Sequence, residues 1–294
     1  MGHKRQHYVP LSYLQAWCDP KCPQGQAPYV WLTPVAGGPP KKKSPKKILR
    51  ETDMYTVVGK SGGRDLSIER GLSRIEGKFA RIRRDKLDKR LPLTLEEAAV
   101  VCMFVAAMFG RTKTYREHLR STWGRALDLM EKVEEAHKNA TPEQREQMQR
   151  ALSPVGRPKD RNRAISKEEV VELVANPLQN MLPATVQAIA PQLIQIPWVV
   201  MVAPKGCAFV TSDAPCVWFD KGEYETPRAR YAGGLASPTI EVTMPLSPRQ
   251  IIVFANRLRI TGYWTGLRRR DVESLNERTV AMADEFVVRN SRHA

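Results

Sequence analysis

A histidine near the start of the chain has the residue type and the setting that proton transfer needs. His7 lies in the segment Gln-His-Tyr-Val-Pro at positions 6–10. Pro10 fixes its own φ and biases Val9 toward an extended conformation, so the segment holds His7 in one direction. A side chain that titrates near neutral pH can then act as a general acid or base. The alternative interpretation is an aromatic anchor that packs three rings into the core: Tyr8, Tyr13 and Trp17.

Four side chains of the type that binds zinc occur near the same end. Three residues separate His3 from His7, and three residues also separate Cys18 from Cys22. Two histidines and two cysteines match a structural zinc site in number and type. A His7 that transfers protons is not free to close such a site, so zinc is an alternative to the catalytic interpretation. We therefore assign no metal site to these residues. The expected cofactor is either Mg²⁺ or none.

Several familiar catalytic motifs are missing from the sequence. The run Gly59-Lys60-Ser61 resembles the end of a Walker loop, but no glycine stands upstream where that loop requires one. The chain has no Gly-x-Gly-x-x-Gly fingerprint and no His-Glu-x-x-His helix. The helix-turn-helix, zinc-finger and RNA-recognition signatures are also lacking.

The charge of the chain points to a polyanionic partner. Its 294 residues include 47 basic and 31 acidic side chains, for a formal net charge of +16. Such an excess attracts nucleic acid through Coulomb forces and counterion release. The alternative is that the charge serves solubility alone. The basic residues concentrate in a loop at 153–165 and in two further groups: Lys41, Lys42, Lys43, Lys46 and Lys47, and Arg268, Arg269 and Arg270.

The chain has the features of a protein that stays in the cytoplasm. No apolar run reaches the roughly 18 residues that a membrane helix needs. The basic N-terminus has no apolar stretch behind it, so we expect no signal peptide. Five cysteines without a secretion signal are better interpreted as reduced thiols than as disulfides. Nothing in the sequence indicates a protein partner or an oligomer.

The first two thirds of the chain predict short strands followed by helices. Strands are expected at 29–33 and 54–58, with a flexible basic loop at 37–47 between them. Apolar residues every three or four positions predict a helix from Leu66 that stops before Pro92. Capping boxes predict further helices after Thr94, Thr141 and Ser166, the first of them almost wholly apolar and therefore buried. The prolines at three later positions are expected to break or kink the helical segment that follows: Pro177, Pro183 and Pro191.

The last third predicts strands and a final helix. A strand at 198–202 is expected to pair with 207–211 through the turn at 205–206, and further strands are expected at 216–219, 240–244 and 251–254. A helix is expected from Asp271, with Phe286 on its apolar face. Strands at both ends of a helical middle predict an α+β fold. We expect a single domain at 1–294, with a mainly helical lobe at 1–195 and a β-rich lobe at 196–294.

Short motifs in a fixed order give the chain a resemblance to a known family. The His-Tyr-Val-Pro segment is the first of them, and six more follow: Met54-Tyr55, Ile68-Glu69 with Ile75-Glu76, Arg111-Thr112, Thr211–Pro215, Pro245–Pro248 and Leu275-Asn276. In their order and spacing they resemble the uncharacterised bacterial domain-of-unknown-function 4238 family. The chain departs from the family pattern at Ala214, where the family often has Asn.

The resemblance implies a set of site residues: His7, Glu76, Arg111, Ser212 and Asp213. His7 would act as the general acid or base, and Arg111 would bind a phosphate or carboxylate. Asp213 would orient His7 or bind a metal, and Ser212 would be a nucleophile, although no glycine elbow surrounds it. The alternative is structural: Arg111 forms a salt bridge to Glu76 or Asp213, and residues 212–215 form a capped turn.

Three functions remain compatible with these observations. The first is an enzyme that acts on nucleic acid or nucleotide phosphates, a nuclease of the defence or toxin type. The second is a non-catalytic nucleic-acid-binding module in which the His, Asp and Arg residues are structural. The third is an interaction protein whose charge is incidental. We expect the first, with His7, Arg111 and Asp213 as its central residues.

Overall fold

The computed structural model describes residues 5–59, 62–152, 165–222, 234–259 and 262–292. The helices in these ranges are α1 (Leu11–Leu14), α2 (Ser67–Ile82), α3 (Leu95–Gly110), α4 (Lys113–Asn139), α5 (Pro142–Leu152), α6 (Lys167–Ala175), α7 (Pro177–Gln195) and α8 (Arg269–Ala281). The strands are β1 (Arg5–His7), β2 (Val30–Pro34), β3 (Lys41–Lys43), β4 (Arg50–Thr52), β5 (Val57–Val58), β6 (Arg64–Asp65), β7 (Trp198–Val202), β8 (Thr211–Ser212), β9 (Val217–Asp220), β10 (Ile240–Ser247), β11 (Gln250–Ala255), β12 (Gly262–Trp264) and β13 (Phe286–Arg289). The predicted α+β class is therefore confirmed.

Helix α3 is the central helix of the fold. Thr94 caps it, because its hydroxyl accepts from the Glu97 amide while the Glu97 carboxylate accepts from the Thr94 amide. Most of its residues are buried, and it packs against α2 and α7. The Phe79 and Phe104 rings stack at 3.7 Å between α2 and α3. The capping boxes predicted at positions 141 and 166 also form.

Two prolines lie inside α7 without ending it. Pro177 occupies the first turn, where the missing N–H costs nothing, and Pro183 and Pro191 follow within one continuous helix. The predicted break is confirmed at Pro177, which separates α6 from α7, and a break at Pro183 or Pro191 does not occur. The burial of Leu182 and Leu193 against the rest of the core holds the helix together across the lost hydrogen bonds.

Two sheets stand beside the helices. The first has the strand order β12-β7-β11-β10-β9, and the second has the order β3-β2-β13-β8. β1 pairs with β4 and β5 pairs with β6 in two separate small ladders. The second sheet joins β2 and β3 from the N-terminal part to β8 and β13 from the C-terminal part. Strands from both of the predicted lobes therefore share one sheet.

Three details of the strand prediction are corrected. The 207–211 segment does not pair with β7, because its end, β8, joins β13 in the other sheet. β7 instead lies between β11 and β12. Phe286 is in strand β13 and not in the last helix, which ends at Ala281. The expected loop at 37–47 contains β3 and a short 3₁₀ turn at Pro45–Lys47, since β2 supplies a pairing edge for the lysines.

Within the described ranges, the structure contains no helix that is both long enough and apolar enough to cross a membrane.

Candidate functional site

His7 lies at the end of β1, opposite Arg50 of β4. The side chain is partly buried, and its Nε2 atom lies 3.4 Å from the Pro45 carbonyl oxygen. Burial lowers the pKa of His7 below its ordinary value, and the nearby Arg50 charge lowers it further, while the Pro45 contact opposes both. The imidazole is therefore neutral at neutral pH and available to accept a proton.

Arg111 and Glu76 form an ion pair behind His7. The Arg111 Nη1 atom donates to Glu76 Oε1 at 2.7 Å, and Nη2 lies 3.0 Å from the Met108 sulphur. The Arg111 side chain is only 1% exposed. The charges of both residues act on the pKa of His7, so the structure brings these three residues together. Because the guanidinium is buried, the contacts of Arg111 match the structural salt bridge and leave it no surface for a phosphate.

Tyr55 is a buried neighbour of the Arg111–Glu76 ion pair. Its ring is fully buried, and its hydroxyl has no hydrogen-bond partner among the described residues. Burial raises the pKa of Tyr55, and the charges of Arg111 and Glu76 both act on it. Tyr55 is absent from the predicted site set, although the Met54-Tyr55 motif was a signal that could have placed it there.

Asp213 directly follows β8 and is held by the backbone that leads into β13. Its carboxylate accepts hydrogen bonds from the amides of Asp284, Glu285 and Phe286 at 2.9, 2.7 and 2.9 Å. The residue is fully buried, and burial raises its pKa. The charged groups with the largest effect on the pKa of His7 are Arg50, Glu76 and Arg111. Asp213 is not one of them. These contacts give Asp213 the role of fixing the turn that precedes β13.

The Ser212 side chain also forms a hydrogen bond within its own turn. Its buried hydroxyl accepts a hydrogen bond from the Ala214 amide at 3.1 Å. Together with the bonds of Asp213, this contact corresponds to the capped turn that was the alternative interpretation of residues 212–215.

The lysine group is divided between β3 and a turn that contacts His7. Lys41, Lys42 and Lys43 form the exposed edge strand β3, and the Lys42 ammonium lies 4.5 Å from the centre of the Tyr29 ring. Lys46 and Lys47 are exposed on the 3₁₀ turn whose Pro45 carbonyl contacts His7. The turn with Lys46 and Lys47 and the facing Arg50 therefore give the region around His7 an excess of basic side chains.

The arginine group lies elsewhere. Arg268, Arg269 and Arg270 stand at the start of α8, and Asp271 pairs with the first and third of them. Helix α8 contacts β8, the strand at the opposite edge of the sheet from β3. The structure thus separates the two groups that the sequence suggested as one nucleic-acid surface.

Two of the predicted features fall wholly or mostly outside the described residues. They are His3 of the zinc alternative and the basic loop at 153–165, of which only Ile165 is described. Among the residues that the structure does describe, no three His, Cys, Asp or Glu side chains lie close enough together to hold a metal ion. His7, Cys18 and Cys22 accordingly do not form such a group with one another.

A cavity that no sequence motif indicated opens next to the junction of α3 and α4. It has a volume of about 470 Å³, and its walls include Phe109, Tyr115 and Trp218. Trp218 lies more than a hundred positions from Phe109 and Tyr115, so no local spacing could reveal the group. Two predicted motifs nevertheless border it, through Thr112 and Ala214.

Comparison with known proteins identifies a family without an assigned activity. No curated protein and no solved structure matches the chain significantly. One family model, described as a protein of unknown function (DUF4238), matches residues 5–293. That match spans nearly the whole chain and agrees with the family that the motifs had suggested. The chain therefore belongs to the DUF4238 family of proteins of unknown function.

Proposed function

We propose that this protein binds the phosphates of a nucleic acid or nucleotide at a basic face beside His7 and hydrolyses a phosphodiester bond there. The basic face consists of Lys46, Lys47, Arg50 and His7. The observation that carries the proposal is the position of a half-buried, neutral imidazole between this positive segment and the Glu76–Arg111 ion pair. Such a setting is typical of a histidine that transfers protons.

The roles in this proposal follow from the contacts. Neutral His7 accepts a proton from the attacking water as the water oxygen bonds to phosphorus. The P–O bond to the leaving group then breaks, and the imidazolium returns the proton to the leaving oxygen. The exposed lysines offset the charge of the phosphate. Arg111 and Glu76 are positioning residues, since their buried pair fixes the end of α3 behind the imidazole. Asp213 and Ser212 take no part, because backbone amides already use their oxygens.

The test is a cleavage assay with labelled single-stranded and double-stranded DNA and RNA, including transfer RNA. Each substrate is incubated with Mg²⁺, with Mn²⁺ or with chelator. We expect the wild type to cleave at least one substrate and His7→Gln to lose about 100-fold or more of that rate, as loss of a general base does. The chelator samples report whether a metal is needed.

The matched control is His137→Gln, an exposed histidine near the end of α4. This variant removes the same side chain type away from the basic face and should cleave at the wild-type rate. Equal rates for wild type and His7→Gln, with both proteins folded by circular dichroism, would contradict the catalytic role of His7.

The second candidate function is a non-catalytic nucleic-acid-binding module. It is favoured by the full hydrogen bonding of Asp213 and by the burial of Arg111, which leave His7 without a second reactive group. Salt-sensitive binding by the wild type with no cleavage of any substrate would support this candidate. Absence of binding at low salt would contradict both candidates.

A further inference from the structure

The cavity at the α3–α4 junction has a wall of aromatic rings. The Trp218 and Phe109 rings stack with centroids 4.4 Å apart and planes inclined by 22°. Phe109 contacts Tyr115 at 4.9 Å, and Tyr115 stacks on His118 at 6.2 Å. None of these rings is fully buried, so each keeps a part that faces the cavity or the solvent. We call Phe109, Tyr115, His118 and Trp218 the aromatic wall.

Two carboxylates stand in the same cavity with fixed orientations. Asp284 Oδ2 accepts from the Thr114 amide at 3.2 Å, and its other oxygen accepts from the Thr114 hydroxyl. The Asp284 amide donates to Asp213, which holds the turn in place. Asp220 Oδ1 accepts from the Gly222 amide at 2.9 Å and from the Thr239 hydroxyl. A carboxylate has about four lone-pair directions, and the two bonds from Thr114 leave Asp284 with capacity to accept from a ligand.

The described lining of the cavity carries negative charge. Its described lining residues include Asp220 and Asp284 but no lysine or arginine. The neighbouring Lys113 is paired with Glu51 and Glu285. Burial raises the pKa of Cys216 to about 12, so that lining residue remains a neutral thiol. The described part of the lining therefore favours a ligand that brings hydrogen-bond donors or positive charge.

We propose that this cavity binds a nucleobase that carries an exocyclic amino group, as a free base or nucleoside. The flat ring would stack on the aromatic wall, and the amino group would donate to Asp284. The volume lies within the range of small-molecule sites, about 300–1,000 Å³. This site is separate from the basic face and does not depend on the hydrolysis proposed there.

The test measures nucleoside binding to the full-length protein by isothermal titration calorimetry. Adenosine is compared with inosine, and cytidine with uridine, because each pair differs in whether an amino group or a carbonyl occupies the same ring position. We expect at least one amino-bearing nucleoside to bind about ten-fold or more tightly than its partner, since a site built for donors rejects an acceptor. Equal affinities within both pairs, or no binding by any nucleoside, would overturn the proposal.

Two variants and a further ligand sharpen the result. Trp218→Leu should weaken nucleoside binding about ten-fold, as loss of a stacking partner does. Asp284→Asn should reduce the preference for the amino group, while Glu273→Gln, which removes one exposed carboxylate outside the cavity, should leave it unchanged. Choline is the comparison ligand, because aromatic rings can bind a quaternary ammonium ion through cation–π interactions. Choline binding without nucleoside binding would overturn the nucleobase assignment.

The outcome is independent of the cleavage assay. Nucleosides contain no phosphodiester bond, so they report on the cavity whether or not the basic face is catalytic. Because the paired ligands are compared on the wild type, the proposal remains testable even if Trp218→Leu fails to fold.

Discussion

Arg111 illustrates what a buried charge requires of its neighbours. Its side chain is 1% exposed, and Glu76 supplies a carboxylate that is bonded to it. An ion pair that moves out of water loses hydration free energy. The attraction between the two charges only partly compensates for that loss, so such a pair adds little net stability. Removing one partner has a large cost, because the remaining charge stays buried without compensation.

Replacing Glu76 with leucine should therefore destabilise the protein by about 3 kcal/mol. The double change Glu76→Leu with Arg111→Met should recover part of that loss, since it removes both charges. Urea denaturation of the two single variants and the double variant measures the coupling. Purely additive effects would contradict the ion pair as the reason that Arg111 tolerates burial.

His7 should make stability depend on pH in a defined direction. Its pKa in the folded protein lies below the ordinary 6.5, so the unfolded chain takes up the proton first as the pH falls. The contribution of His7 to the free energy of unfolding is therefore complete above pH 6.5 and is lost as the pH falls through the folded-state pKa.

The measurement compares urea denaturation of the wild type and His7→Gln across that pH range. The wild type should lose more stability on acidification than the variant, which has no imidazole to protonate. If the difference in the free energy of unfolding between the wild type and the variant stays constant with pH, His7 titrates alike in the folded and unfolded states.

At the scale of elements, the crossing of α3 and α7 depends on one glycine. A Cβ atom added at Gly110 would lie 2.9 Å from Leu182 Cδ1 and 3.2 Å from Thr185 Cγ2. These distances are shorter than ordinary carbon contacts, so a side chain at position 110 would force Leu182 and Thr185 to shift within a packed core. The same helix end carries Arg111 and borders the cavity, so this packing sets the position of both.

Gly110→Ala should destabilise the protein by about 1–3 kcal/mol, despite the better helix propensity of alanine. Gly124→Ala in α4 is the matched control, because an added Cβ there meets no atom within 4 Å. That control should stabilise by up to about 1 kcal/mol. Thermal or urea denaturation of both variants checks the contrast, and similar effects at the two positions would count against the close helix approach.

At the scale of the whole molecule, the basic groups are unevenly placed. The lysines of β3 and the following turn lie at one edge of the second sheet, and α8 contacts the strand at the other edge. Asp271 also offsets part of the charge at the start of α8. A short nucleic acid bound at the basic face should consequently depend on the lysines more than on the arginines.

Lys46→Gln combined with Lys47→Gln should weaken binding of a short oligonucleotide and reduce the slope of log affinity against log salt. The reduction should be about 0.7–0.9 for each lost phosphate contact. Arg269→Gln combined with Arg270→Gln removes the same charge and should have the smaller effect. Fluorescence anisotropy over a salt series distinguishes the two, and an equal loss in both double variants would argue against one defined binding face.

The sequence by itself determined the features whose causes are local. Thr94 and Ser166 cap their helices through residues three positions away, so the motif contains the whole interaction. The apolar character of α3 likewise indicated burial directly. The family and the α+β class also followed from the order of motifs and elements along the chain.

Only the tertiary structure decided the features whose partners are distant in sequence. The Asp213 carboxylate could have oriented His7, but the amides that occupy it come from residues 284–286. The prolines of α7 remained helical because packing outweighed two lost hydrogen bonds. The aromatic wall joins α3, α4 and β9, whose spacing in the sequence carries no periodic signal. The local pattern states what a side chain can do, and the fold determines which of those options its neighbours leave available.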